Sequence, residues 1–159
     1  MYKILEIGDK EYKIEFTVEA SLYKDCVEQV TELMLNTMSA SDNADIKDLL
    51  SAIVDIPQTT LTMFYAGLME HHGECGDKTI LSKADARNLI KEYFRGHTED
   101  ESGNFYGFMQ ILIEQMGEDG FFKQIGLVQL GEKAKEIAEK KPKTPQDHKK
   151  KGKVLEKQS

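Results

Sequence analysis

The strongest constraint on this chain is a change in the spacing of its apolar residues near position 18. Before it, Tyr12, Ile14, Phe16 and Val18 alternate with Lys13, Glu15 and Thr17. A period of two is that of a strand with one buried face. After it, Leu22, Cys26, Val27, Val30, Leu33, Met34 and Met38 recur at intervals of three and four, which is one face of a helix. The two periods cannot belong to one element. The first eighteen residues are therefore expected to form a β-hairpin and the remainder to be helical. Pairing Ile7 with Tyr12 and Leu5 with Ile14 gathers apolar side chains on one face and leaves Gly8-Asp9-Lys10-Glu11 at the turn. A lone hairpin is marginal in water, so this one must lie on the helices.

Punctuation residues divide the helical part. Ser39 to Asn43 reads as a loop of capping residues, followed by a short helix with Ile46, Leu49, Leu50 and Ile53 inward. Asp55 and Pro57 are expected to stop that helix and start the next, since proline suits a first helical turn. Leu61, Phe64, Tyr65 and Leu68 form the next stripe, which Gly73 ends. "SKAD" at Ser82 to Asp85 resembles a capping box with Asp in place of Glu. Its helix carries Leu89, Ile90, Tyr93 and Phe94 to a stop at Gly96. "HTEDESGN" is a loop, with Asn104 capping a last long helix that ends near Gly117. A short helical turn is expected to hold Phe121, Phe122 and Ile125. The fold class is thus mainly α: a helical domain over 1–130 with its hairpin at about 2–18, then a lysine-rich flexible tail over 131–159.

Charge separates those two parts. From Glu132 to Ser159 there are 10 lysines against 5 acids, a net of +5, which leaves the first 131 residues with 11 basic and 23 acidic side chains, a net of −12. An acidic body repels phosphate, so nucleic acid is not expected as a partner. No apolar run approaches the ~20 residues of a bilayer span, so no membrane is expected either. The first residues are charged and alternating and do not read as a signal peptide. Cys26 and Cys75 make no disulfide framework, which points to free thiols and an intracellular address.

Chemistry-bearing motifs are sparse. "HHGEC" places His71, His72 and Cys75 together, with His97 or Cys26 as conceivable helpers, but zinc sites draw their ligands from two paired clusters. Histidines at a helix C-terminus are also favoured by the helix dipole alone. "DESGNFYGFMQI" sets Asp100, Ser102 and Asn104 at alternate positions, yet Phe105 stands where a calcium loop needs glycine and Ile111 where it needs glutamate. A glycine-rich phosphate loop, a GxSxG elbow and an HExxH helix are all missing. Carboxylates such as Glu28, Glu32 and Asp48 fall on polar helix faces, with nothing to push two of them apart in pKa. No catalytic, cofactor-binding or metal-binding residue is assigned, and no cofactor is expected. The chain reads as a binding protein, not an enzyme.

The apolar content between Phe105 and Leu130 is the more informative feature. Tyr106, Ile111 and Ile113 widen the stripe of the last long helix beyond one narrow face. That helix either closes the core or leaves part of itself as a docking groove, and Met and Phe suit grooves that accept helices. Phe105, Phe108, Met109, Leu112, Met116, Phe121 and Phe122 are the candidate partner contacts.

Four stretches together resemble a known family: "IGDKEYKIEFTVEASLYKDCVEQVTELM", "YAGLMEHHG", "DARNLIKEYF" and "MGEDGFFKQIGL". They look like the tail assembly chaperones of long-tailed bacteriophages, in the form found in phages and prophages of Gram-positive bacteria. The resemblance covers roughly residues 2–127, stops at the lysine-rich end, and consists of core and turn residues. It implies a non-virion protein of the infected host's cytoplasm that coats the tape measure protein during tail morphogenesis. It also implies recruitment of tail tube subunits through a longer form made by a −1 ribosomal frameshift, with self-association possible. The acidic body would keep the complex in solution and repel other bodies. A rival reading is a small phage or prophage regulatory protein that occupies a host protein. Lys149-Lys150-Lys151, or else Lys140-Lys141, would be encoded by A-rich codons, the raw material of a slippery heptamer. The alternative is a solvated basic tail with no such role.

Overall fold

The computed structural model describes residues 1–39 and 45–140. The hairpin forms where the alternation places it, β1 (Lys3–Ile7) pairing antiparallel with β2 (Lys10–Ile14). Its register differs by two residues from the expected one. Leu5 lies opposite Tyr12 and Lys3 opposite Ile14, so the loop shrinks to Gly8-Asp9. Gly8 takes φ +65° at the first loop position, the glycine-first pattern of a II′ turn, whose twist matches that of the strands. Shifting a strand by two returns every side chain to its own face, so apolar alternation alone could not choose between these registers. Leu5, Ile7, Ile14 and Phe16 are buried.

Thr17 caps α1 (Val18–Ser21), its hydroxyl accepting from the Glu19 N–H. Helix α2 (Lys24–Ser39) then buries Cys26 and Val30 and packs Val27, Leu33 and Met34 against the core edge. Leu22, expected on that stripe, instead ends α1 and is exposed. The expected loop lies, from residue 40 onward, outside the described residues, as does the Met38 side chain.

Where two helices were expected there is one, α3 (Ile46–His72), with Pro57 inside it. Proline cannot donate to the carbonyl four residues back, so the ladder loses a bond there. Good helix formers on both sides, Leu50 and Ala52 before and Leu61 and Met63 after, carry the helix through. The C-terminal half of α3 is the axis of the fold, with Met63, Phe64, Ala66, Leu68 and Met69 buried. β2, α1, α2, α4 and α5 all pack on α3. Gly67 lets the hairpin come close. The Glu15 N–H donates to the Gly67 carbonyl at 3.0 Å, and a Cβ at 67 would stand 2.7 Å from Ile14 Cγ2 and 2.9 Å from Phe16 Cζ. A side chain at 67 would force the two layers apart.

Helix α4 (Lys83–Gly96) opens on the expected capping box. The Ser82 hydroxyl accepts from the Asp85 N–H, and the Asp85 carboxylate accepts from the Ser82 N–H. Leu89, Ile90 and Tyr93 face inward. Asn104 caps α5 (Phe105–Glu118) by accepting from the Gly107 N–H. α6 (Phe121–Gln124) follows a left-handed Gly120. Phe16, Phe64, Phe108 and Phe121 are fully buried, Phe64 meeting Phe108 edge-on at 5.1 Å and Phe16 meeting Phe121 at 5.7 Å. Burying each such ring is worth ~1.5–3 kcal/mol.

The last described element is α7 (Leu127–Lys140), which buries no residue. It runs across the boundary expected at 130/131. Ala134, Ala138 and the i,i+4 pair Glu136–Lys140 favour a helix where lysine content alone argued for flexible chain. Residues 141–159, including Lys149-Lys150-Lys151, lie outside the described residues. The molecule is mainly α with an N-terminal hairpin.

Candidate functional site

Helix α3 changes character at Pro57. From Thr59 on its residues enter the core, whereas Ile46 is 72% exposed, Leu50 58%, Ile53 59% and Val54 74%. Ile46, Leu49, Leu50 and Ile53 were expected to face inward; the core does not reach Ile46, Leu50 or Ile53, and the Leu49 side chain lies outside the described residues. They succeed one another at intervals of four and three, which aligns them on one face, with Val54 at its border. At about 1.5 Å per residue, the segment before Pro57 extends roughly 16 Å. The charge around it is one-sided: residues 28–56 hold six acids and one lysine.

Helix α7 repeats the arrangement at the other end of the chain. Leu127, Leu130, Ala134 and Ile137 recur at three, four and three, with Val128 alongside. Leu130 and Ile137 are more than half exposed, and the packing of α7 is against the four-residue α6. A fourteen-residue helix is marginal in water unless its apolar face is covered. Both helices therefore present apolar stripes that the described residues leave largely uncovered.

The seven candidate contacts named from the sequence divide differently. Phe108, Met109, Leu112, Met116 and Phe121 are 0–3% exposed. They close the core, Phe108 against Phe64 of α3 and Phe121 against Phe16, so they form no surface groove; of the residues that widen the α5 stripe, Ile111 and Ile113 are partly buried and Tyr106 is 61% exposed. Phe105 and Phe122 are partly buried at the core edge, Phe105 standing edge-on to Phe94 at 5.0 Å. The residues that do offer apolar surface, Ile46, Leu50, Ile53 and Val54, were missed because the same helical period signals a stripe whether or not the core covers it. The acid-rich surroundings and the proline at 57 were the available signals that this segment stands apart.

The histidine cluster is structural. The Lys13 N–H donates to His72 Nε2 at 2.9 Å, while His72 Nδ1 lies 2.9 Å from Asp77 Oδ2. Because Nε2 accepts, the ring carries its proton on Nδ1 and donates it to Asp77. His71 Nε2 lies 2.7 Å from Glu15 Oε2. Both imidazoles thus tie the end of α3 to β2 and the residue after it, and no group of three or more His, Cys, Asp or Glu able to hold a metal occurs among the described residues. The Thr79 hydroxyl and N–H, then His72, hold the Asp77 carboxyl below its ordinary range. Backbone N–H groups of Leu81 and Ser82 do the same for Asp85. Burial pushes the Cys26 thiol up to about 12, an unreactive thiol, while Cys75 is exposed and both are free.

Two surface clefts each enclose about 210 Å³, one between Tyr23, Tyr65 and Lys83 and one beneath the hairpin turn. Both fall below the ~300 Å³ at which small-molecule sites usually begin. Among the described residues no helix is long and apolar enough to cross a membrane. Comparison with protein-family models, with curated proteins and with solved structures returns no match.

Proposed function

We propose that the chain is a tail assembly chaperone of the phage type, a non-catalytic protein that covers apolar helical segments of a tape measure protein until the tail is built. The observation that carries this reading is the pair of uncovered apolar stripes, on α3 before Pro57 and on α7. A contiguous apolar face on an otherwise charged protein marks an interaction surface, and a client helix fits such a face through residues spaced at three and four. The sequence resemblance supplies the identity of the client. The stripes replace the buried α5 face as the contact surface. Recruitment of tail tube subunits by a longer frameshifted form belongs to the same proposal and is read out in the gene as an A-rich heptamer with an overlapping −1 frame.

The test is co-expression with a phage tape measure protein. The soluble fraction of the client is expected to rise several-fold with the wild-type chain, and to return to baseline with the double variant Ile53→Asp, Val54→Asp. A client equally insoluble with and without the wild-type chain overturns the proposal.

A further inference from the structure

We propose that the outer edge of β1 is a docking surface distinct from the helical stripes, where an extended segment of a partner protein adds as a third strand and sets a lysine or arginine beside Glu6. The two edges of the hairpin differ. With Ile7 opposite Lys10 across a two-residue loop, Lys3, Leu5 and Ile7 turn their main-chain groups toward β2. Those of Lys13 and Glu15 face away from β1, and α3 takes up both N–H groups: Lys13 donates to His72 Nε2 at 2.9 Å and Glu15 to the Gly67 carbonyl at 3.0 Å. On the other edge Ile4 and Glu6 point their N–H and C=O groups outward, and no hydrogen bond reaches them among the described residues. Ile4 is 44% exposed and Glu6 is exposed as well, so this edge is open to solvent. A strand edge with free donors and acceptors is a template for one more strand.

Charge sets what the added strand must carry. Glu6 stands directly opposite Glu11, and like charges in that position destabilise a ladder. Asp9 at the turn and the Glu92 side chain of α4, which lies against Gly8, add to the same negative field. None of these four acids forms an ion pair among the described residues. Lys13, the base on the same face of the hairpin, holds its ammonium over the Tyr2 ring, 4.6 Å from the centre. A basic side chain next to Glu6 would relieve the pair of glutamates. The cleft lined by Glu6, Asp9 and Glu11 encloses about 210 Å³, the scale of one side chain and too small for most free ligands. Two places along the same row, the added strand meets Ile4 and gains from an apolar residue there. A second copy of β1 does not answer this need. Its residues on that face are Tyr2, Ile4 and Glu6, which bring another carboxylate and no base.

This inference does not rest on the client reading, and its test contains no client. The probes are two short synthetic peptides that alternate threonine with valine, the central valine replaced by lysine in one and by glutamate in the other. With the isotope-labelled full-length chain, the lysine peptide is expected to shift the amide resonances of Ile4 and Glu6 and to slow their hydrogen exchange by roughly tenfold or more. Leu5 and Ile7, already bonded to β2, should change little. The glutamate peptide should leave all four unmoved. Glu6→Lys keeps the fold, since lysine opposite Glu11 is a favourable pair, and should reverse the preference between the peptides. The double variant Ile53→Asp, Val54→Asp should bind the lysine peptide as the wild type does. Amides of Ile4 and Glu6 that neither peptide moves overturn the proposal, and so does a preference that Glu6→Lys leaves in place. Protection of those amides that is present without peptide and lost on dilution would assign the edge to a second copy and overturn it as well. Loss of peptide binding in the α3 double variant would show that the two surfaces are not distinct.

Discussion

The two halves of α3 carry the same apolar period and meet opposite fates. Between Ile46 and Val54 the stripe faces solvent; between Leu61 and Leu68 it is sealed by the hairpin, α2, α4 and α5. Periodicity states that a helix has an apolar side. It does not state whether the rest of the same chain is there to cover it. The halves differ in their surroundings: the buried half has Gly67 and small residues that admit close neighbours, while the exposed half is set among carboxylates that resist burial.

The sharpest way to break this contrast is to truncate one apolar residue in each half. Phe64 is fully buried and edge-on to Phe108, so Phe64→Ala is expected to cost about 3–5 kcal/mol. Ile53 is more than half exposed, and Ile53→Ala is expected to change stability by less than about 0.5 kcal/mol. Urea denaturation of both variants in dilute solution checks the pair. Equal losses would mean that the first half of α3 is packed as deeply as the second.

A smaller effect separates the capped helix α4 from the uncapped projecting half of α3. In the folded chain the Asp77 and Asp85 carboxyls titrate below their ordinary value of 3.8. A carboxyl with a depressed folded pKa stabilises fully above its unfolded value, and that contribution is lost as pH falls through the folded one. Melting temperature is therefore expected to hold level above about pH 5 and to fall below about pH 4. Asp85→Asn should lower it at neutral pH and flatten the acid slope, since its oxygen accepts from Leu81 and Ser82 at 2.9 Å in each case. An acid slope in Asp85→Asn identical to that of the wild type would show that the capping box carries none of the pH dependence.

Much of the fold was legible because its signals are local. The hairpin came from alternation, α4 from "SKAD", α5 from Asn104, and the end of α3 from Gly73. Legibility failed where two signals disagreed or where one signal fits two outcomes. Pro57 read as a stop, yet the helix formers around it carried α3 through. The lysines after Gly131 read as flexible chain, yet alanines and an i,i+4 pair gave α7. The hairpin register was open to a shift of two, which preserves the faces, and the two-residue turn decided it. The candidate contacts failed for a different reason. Phe108, Leu112 and Met116 are apolar in the sequence whether they close a core or line a groove, and only the packing of α3 and its neighbours against α5 decides.

Setting α3 beside α7 gives the smallest expected change and the most direct one. If α7 lends its apolar stripe only to other chains, removing Glu132 to Ser159 takes away nothing that the fold itself uses, because α7 buries no residue. Surface changes of that kind stay within about 0.5 kcal/mol, a shift of ~1–2 °C in melting temperature for a chain of this size. The truncated chain should therefore melt within that margin of the full one, as calorimetry of the two would show. A fall of many degrees would place α7 among the elements that hold the body together, and its stripe would then no longer be available to bind a second chain.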